Sequence, residues 1–117
     1  IMTGHRALIA IRGNEVAWRF DRTAEALVCD IAEDGTVRSR SEIIFARQSP
    51  EDLCDYVLAH GIDTVVAGAV EEEYYHYLRY KRVDVIDNVA GEIDPVLARL
   101  ASGRLASGDI LFPGKEG

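Results

Sequence analysis

Few residues with reactive side chains stand at spacings that make a reaction centre. Cys29 and Cys54 lie too far apart for a zinc or redox motif, and each sits in an apolar neighbourhood. Of the three histidines, His5 is expected near a disordered N-terminal end and His60 closes a helix. His76 shares the polar side of another helix with Glu72, Glu73 and Tyr80. None has a second soft ligand at a standard spacing, so no metal ligand is expected. Glu71-Glu72-Glu73 are consecutive, and consecutive helix residues point in different directions, so they read as a solvated helix start. No nucleophile–base pair, Walker loop or dinucleotide fingerprint is present, and catalysis is not expected. What remains is loop chemistry. Gly68-Ala69-Val70 and Asn88-Val89-Ala90-Gly91 each follow a short apolar run. In open α/β sheets ligands sit at the carboxyl ends of strands, which makes these two loops the places to look.

The elements that position those loops lie between His60 and Gly91. Thr64 to Ala67 is β-branched and apolar, Glu71 to Lys81 suits a helix, and Val83 to Ile86 is a second apolar run. Strand, helix and strand in about 30 residues make a βαβ unit with parallel strands. Upstream, Ala7 to Ile11 is a continuous apolar run that suits a central strand buried on both faces. After the turn signal Gly13-Asn14, Glu15 to Phe20 alternates, which predicts a strand with Val16, Trp18 and Phe20 on one side. Ala26 to Ile31 and Val37 to Phe45 flank Asp34-Gly35 as a hairpin, the second strand polar enough for a sheet edge.

Helices follow. Ser49 as N-cap, Pro50 in first position and the acids Glu51 and Asp52 predict a helix with Leu53, Val57 and Leu58 as its buried stripe, stopped by Gly61. Asp94-Pro95 predicts the cap of a last helix, with Val96, Leu97 and Leu100 inward and Gly103 at its end. The expected architecture is α/β: a mixed sheet of four strands, then helix-strand-helix-strand-helix.

At 117 residues, with 48% hydrophobic content, one domain is expected over residues 1–117, its core at about 6–106 and a tail at 107–117. A net charge of −7 argues against nucleic acid and anionic membranes as partners, because both need a surplus of Lys and Arg. No apolar run approaches the roughly 18 residues of a membrane span, and no signal-peptide pattern is present. With two unpaired thiols, a cytoplasmic location is expected.

The chain resembles the dinitrogenase iron–molybdenum cofactor biosynthesis family, the small NifX/NifB-type domains. The match rests on the apolar opening strand, on Arg19-Phe20-Asp21-Arg22-Thr23-Ala24 leading into Leu27-Val28-Cys29-Asp30-Ile31, on Gly61-Ile62-Asp63-Thr64-Val65-Val66-Ala67-Gly68, and on the Gly91 loop with its helix ending Leu100-Ala101-Ser102-Gly103-Arg104-Leu105. It spans about residues 6–106. Arg19 stands where the family commonly has histidine, and Asp21 where it has glycine. The resemblance implies a ribonuclease H-like fold and a role in nitrogen fixation. It implies non-covalent carriage of iron–molybdenum cofactor or another metal–sulfur cluster, a compact anion, among cofactor-assembly proteins. Arg12, Arg19, Arg22 and Thr23 would then supply charge and donors near the first loops. Gly68, Ala69, Val70, Asn88 and Gly91 would let backbone approach the ligand. Carboxylates at Glu71 to Glu73 would compete with an anion for the helix start. Nuclease chemistry, which this fold can host, is not expected, since the first strand lacks carboxylates and Asp30 stands alone.

A different reading rests on Tyr74, Tyr75, Tyr77 and Tyr80. One helix cannot bury all four against its own sheet, which makes 71–81 a candidate surface for a partner protein or a homo-oligomer.

Overall fold

The computed structural model describes residues 4–112. Its elements in order are β1 (His5–Arg12), β2 (Glu15–Val16), a 3-10 turn (Phe20–Arg22), β3 (Glu25–Ile31), β4 (Val37–Ile44), α1 (Pro50–Ala59), β5 (Thr64–Val66), α2 (Glu72–Tyr80), β6 (Asp84–Ile86), β7 (Ala90–Gly91), α3 (Ile93–Ala101) and β8 (Ile110–Leu111). The main sheet runs β4-β3-β1-β5-β6, with β2 also paired to β1. β3 and β4 pair antiparallel, as do β1 and β3, whereas β1–β5 and β5–β6 are parallel. This is a mixed α/β fold, with one central mixed sheet and three α-helices among the described residues.

β1 is buried along Ala7 to Ile11, and its alternating side chains feed two cores. Leu8 and Ala10 join Phe20, Leu53, Val57, Val65 and Leu78 under α1 and α2. Ala7, Ile9 and Ile11 join Leu27, Cys29, Val66, Val96, Leu97 and Leu100 under α3. The sheet is therefore the middle layer of three, which explains why β1 reads as an unbroken apolar run. The cap of α1 forms as its sequence predicts: Asp52 N–H donates to Ser49 Oγ at 3.1 Å.

Five expectations change. The strand expected through Phe20 stops at Val16: Ala17 N–H still donates to the Ala10 carbonyl at 2.8 Å, and Trp18 to Phe20 then leave β1 for a different partner. Val16 and Phe20 end in opposite cores, and Trp18 is 77% exposed. Leu58 is not part of the α1 stripe; Cys54 fills that place, as Leu58 lies one step round the helix from Val57 on the solvent side. Asp94 is inside the first turn of α3 rather than its cap: Glu92 precedes the helix, and Val96 N–H donates to its carbonyl. His5 is a paired residue of β1. The tail does not begin at 107, since Ile110–Leu111 pairs in parallel with Ala90–Gly91. Of that tail, 113–117 lie outside the described residues.

Leu53 and Leu97 are both buried, but in different cores. Leu53→Ala and Leu97→Ala should each cost about 2–5 kcal/mol in a denaturant melt. As the sites share no partners, the double variant should lose close to the sum.

Candidate functional site

The carboxyl ends of β1, β5 and β6 lie at one end of the sheet, and three loops meet there. One edge of β1 belongs to β3 from His5 to Ile11. The other edge is divided: Ala7 to Ile9 pair with β5, and Ile11 and Arg12 pair with β2. β2 runs back along β1 toward the oncoming end of β5, so the two segments meet head-on. They meet at Ala17 and Gly68, where Gly68 N–H donates to the Ala17 carbonyl at 3.0 Å. The chain then turns aside. Ala69 N–H donates to the Trp18 carbonyl at 2.7 Å, and Phe20 N–H to the Ala69 carbonyl at 2.9 Å. A Cβ on residue 68 would lie 2.6 Å from the Ala17 carbonyl oxygen and closer still to that of Trp18, so only glycine fits.

The third loop is tied to the second. Asn88 N–H donates to the Gly68 carbonyl at 2.8 Å and Val89 N–H to that of Ala67 at 3.1 Å. Asn88 itself takes a left-handed conformation, φ 57°, and is exposed. Residues 107–111 brace this loop from outside: Asp87 N–H donates to Ser107 Oγ at 3.1 Å, and Ala90 N–H to the Asp109 carbonyl at 3.0 Å.

The nine residues expected at the site divide into two groups. Arg12, Arg19, Arg22, Ala69 and Asn88 are exposed at this end of the molecule, with Val70 half-buried. Thr23, Gly68 and Gly91 are buried in the scaffold. Thr23 Oγ1 donates to the Arg19 carbonyl at 2.6 Å and holds the 3-10 turn. The space beside Gly91, at φ 148°, is filled by Leu111 backbone. Both glycines thus admit the chain's own backbone.

The electrostatics are uneven. Arg19 makes a two-pronged bond to Asp21, at 2.7 and 3.0 Å, and lies 3.9 Å from Glu71. The Asp21 hydrogen bond, then its charge, hold the guanidinium proton more tightly than usual. Its charge is therefore already answered. Arg12 and Arg22 make no ion pair among the described residues. Sequence reasoning missed Trp18, which stands exposed beside Ala69. Its alternating neighbours give it the pattern of a buried strand residue, and no local signal marks the turn-out.

A hollow opens elsewhere in the molecule. A cleft of about 620 Å³ opens at the opposite end of the sheet, lined by His5, Arg6, Asp30, Glu33, Arg38 and Asp63 among others. Arg6 is already answered there: it bonds Asp30 at 2.7 Å and the His60 carbonyl at 2.8 Å, and its backbone N–H donates to Asp63. A smaller groove of about 310 Å³ separates α1 from α2 beside Tyr74 and Tyr77. On α2, Tyr74 and Tyr75 pack against the core, while Tyr77 and Tyr80 are 40% and 81% exposed.

Among the described residues no three His, Cys, Asp or Glu side chains converge as metal ligands. Cys29 and Cys54 are buried in the two cores, and burial pushes their thiols up to about 11 and about 12. Neither offers a thiolate near neutral pH. The lacing uses the N–H groups of Gly68, Ala69, Asn88 and Val89. What the loop cluster offers is therefore the Asn88 side-chain amide and the guanidinium groups of Arg12 and Arg22, which suit an anion held from outside.

Gly68→Ala should cost about 1–3 kcal/mol by overpacking and shift the emission of Trp18, the only tryptophan. Both thiols should resist a disulfide reagent at pH 8 until the protein unfolds. Because the folded thiols hold their protons above the ordinary value of 9.0, stability should be intact below pH 9 and fall as pH rises toward 11–12. Urea melts across that range would show it.

The sequence matches the model of the family described as Dinitrogenase iron-molybdenum cofactor over residues 5–103. No curated protein matches it in sequence. The crystal structure of PH0822 superposes with a TM-score of 0.78 at 21% identity, covering 87% of this chain and 93% of that one. The Methanocaldococcus jannaschii protein mj0327 superposes at 0.72 in its crystal structure, with 16% identity over 90% of this chain and 95% of its own. Its NMR structure gives 0.69, with the same identity over 92% and 96%. At these identities the likeness shows the fold. The family match covers most of the chain, from β1 to the end of α3, and with it this protein belongs to the dinitrogenase iron–molybdenum cofactor family.

Proposed function

We propose that this protein is a non-catalytic carrier in iron–molybdenum cofactor biosynthesis, acting in the cytoplasm between cofactor-assembly proteins. Its cargo is the iron–molybdenum cofactor or a related metal–sulfur cluster, taken up whole as a compact anion. The single observation behind this reading is the lacing of three loops, at Trp18–Phe20, Ala67–Ala69 and Asn88–Val89, at the carboxyl ends of parallel strands. Backbone fixed in that way costs little further ordering when a ligand arrives. Arg12 and Arg22 supply unanswered positive charge at its rim, and Ala69, Val70 and Asn88 supply the surface. Thr23, Gly68 and Gly91 act one step back, by fixing the loops. The buried thiols favour non-covalent holding over thiolate coordination.

A second reading, a protein-interaction module working through α2, is favoured by the exposure of Tyr77 and Tyr80. It predicts a colourless protein whose partner contacts are lost on Tyr80→Ala.

The test is anaerobic titration of isolated iron–molybdenum cofactor into the protein, followed by visible absorption. Arg22→Glu should weaken binding by about three- to tenfold, the scale of one exposed charge pair. Glu71→Gln should strengthen it by a similar factor, because Arg19 then keeps Asp21 as its only close carboxylate. Absence of binding, or indifference to both substitutions, would end the carrier reading.

A further inference from the structure

We propose that β4 is the contact through which two copies of this chain join, edge to edge, in an antiparallel pair centred on Ser41. β4 is eight residues long and ends the sheet: β3 is its only partner among the described residues. Arg38 to Glu42 are all exposed among the described residues. An edge of that length presents a row of unpaired N–H and C=O groups, which is a template for another strand.

The phase of those groups is fixed. Phe45 N–H donates to the Ala24 carbonyl, and Ile44 lies opposite Glu25 in the same antiparallel register. Ladder bonds fall on every second residue, so Ser39, Ser41 and Ile43 turn their backbone groups toward β3. Arg40, Glu42 and Ile44 turn theirs outward. A two-fold antiparallel pair can use only the outward groups, which leaves three possible centres within the regular part of the strand. A pair centred on Arg40 sets arginine against arginine at its centre, and its compensating Arg38–Glu42 pairs fall on Arg38, where the register shift interrupts the strand. One centred on Glu42 sets glutamate against glutamate. Centring on Ser41 sets Arg40 opposite Glu42 twice, once on each side of the axis. Both side chains lie on the face that carries α3, where Arg40 already lies 3.5 Å from Asp94. Opposite charges directly across a ladder attract, and like charges repel, so charge selects the Ser41 centre.

The flanking residues agree with that register. Ile44, 77% exposed, falls opposite Arg38, whose aliphatic stem can cover it. The register shift at Asp30/Ile31 bends β4 near Val37 and Arg38. It confines regular pairing to about Ser39–Ile43 and makes a discrete dimer of the edge instead of an open fibre. The edge opposite, at β6, is not used. This inference is independent of the carrier reading, since it draws on no residue of the loop cluster.

The experiment is sedimentation velocity on the whole chain at several concentrations, with circular dichroism to verify folding. The unaltered protein should show a concentration-dependent dimer. Glu42→Arg and Arg40→Glu should each weaken it by about tenfold or more, since each sets two like-charged pairs across the axis. An equimolar mixture of the two variants restores both opposite-charge pairs and should dimerise again, as should the double variant carrying both changes. Glu42→Pro removes an outward N–H that β3 does not use, and should leave a folded monomer. A protein that stays monomeric at every concentration overturns the proposal. So does a dimer indifferent to the charge changes, or a mixture that stays monomeric.

Discussion

The backbone of β1 is the constraint on which the rest of the molecule depends. It is buried on both faces and bonded along both edges, so every polar group it carries must find a partner inside the protein. β3 alone takes one edge, from His5 to Ile11. No single strand satisfies the other: β5 takes its first part and β2 its second. Two segments running in opposite senses thereby share one line of hydrogen bonds, and each must stop where the other begins. Their meeting at Ala17 and Gly68 is a consequence of saturating β1.

The candidate site follows from that meeting. The chain displaced at Ala17 swings across the end of β5, carries Trp18 into solvent and sets Arg19 beside Glu71. β6 is fixed to the same place through the Gly68 carbonyl, and residues 107–111 hold the loop that follows it. Positions distant in sequence thus form one surface made largely of backbone. Its charge balance is set by proximity. Asp21 and Glu71 answer Arg19, while Arg12 and Arg22 keep their charge available. The geometry of the loops favours this end of the sheet, although a cleft of about 620 Å³ opens at the other. Volume there is offset by the carboxylates of the lining, Asp30, Glu33 and Asp63, and an anion drawn to Arg6 would have to displace Asp30.

Periodicity, caps and turn residues made most of the fold legible without coordinates. The apolar run at Ala7–Ile11 is the mark of a strand buried on both faces. Ser49-Pro50 set the start of α1, and Gly61 and Gly103 end their helices in left-handed conformations, φ 64° and 76°. The βαβ unit at 64–86 and its parallel strands follow from element lengths alone. The misreadings share a cause. Alternation at Glu15 to Phe20 is a local pattern, and it cannot register that β5 arrives at the same edge of β1. Ser107 to Leu111 carries no strand signal, because its pairing with β7 is two residues long and its partner is far away in sequence.

For the site, the sequence determined which loops close the parallel strands, since strand direction and topology place those ends together. It also determined the inventory of charge there: Arg12, Arg19, Arg22 and the run at Glu71. Only the tertiary structure decided which of these groups remain available. Whether Arg19 is neutralised, whether Thr23 faces a ligand or a carbonyl, and whether Gly68 and Gly91 make room for cargo or for backbone all depend on contacts between segments tens of residues apart. Local patterns record the secondary structure of a residue and the side it buries. They do not record which distant backbone arrives opposite it, and here that arrival spends two glycines and a threonine on the scaffold and turns a tryptophan outward.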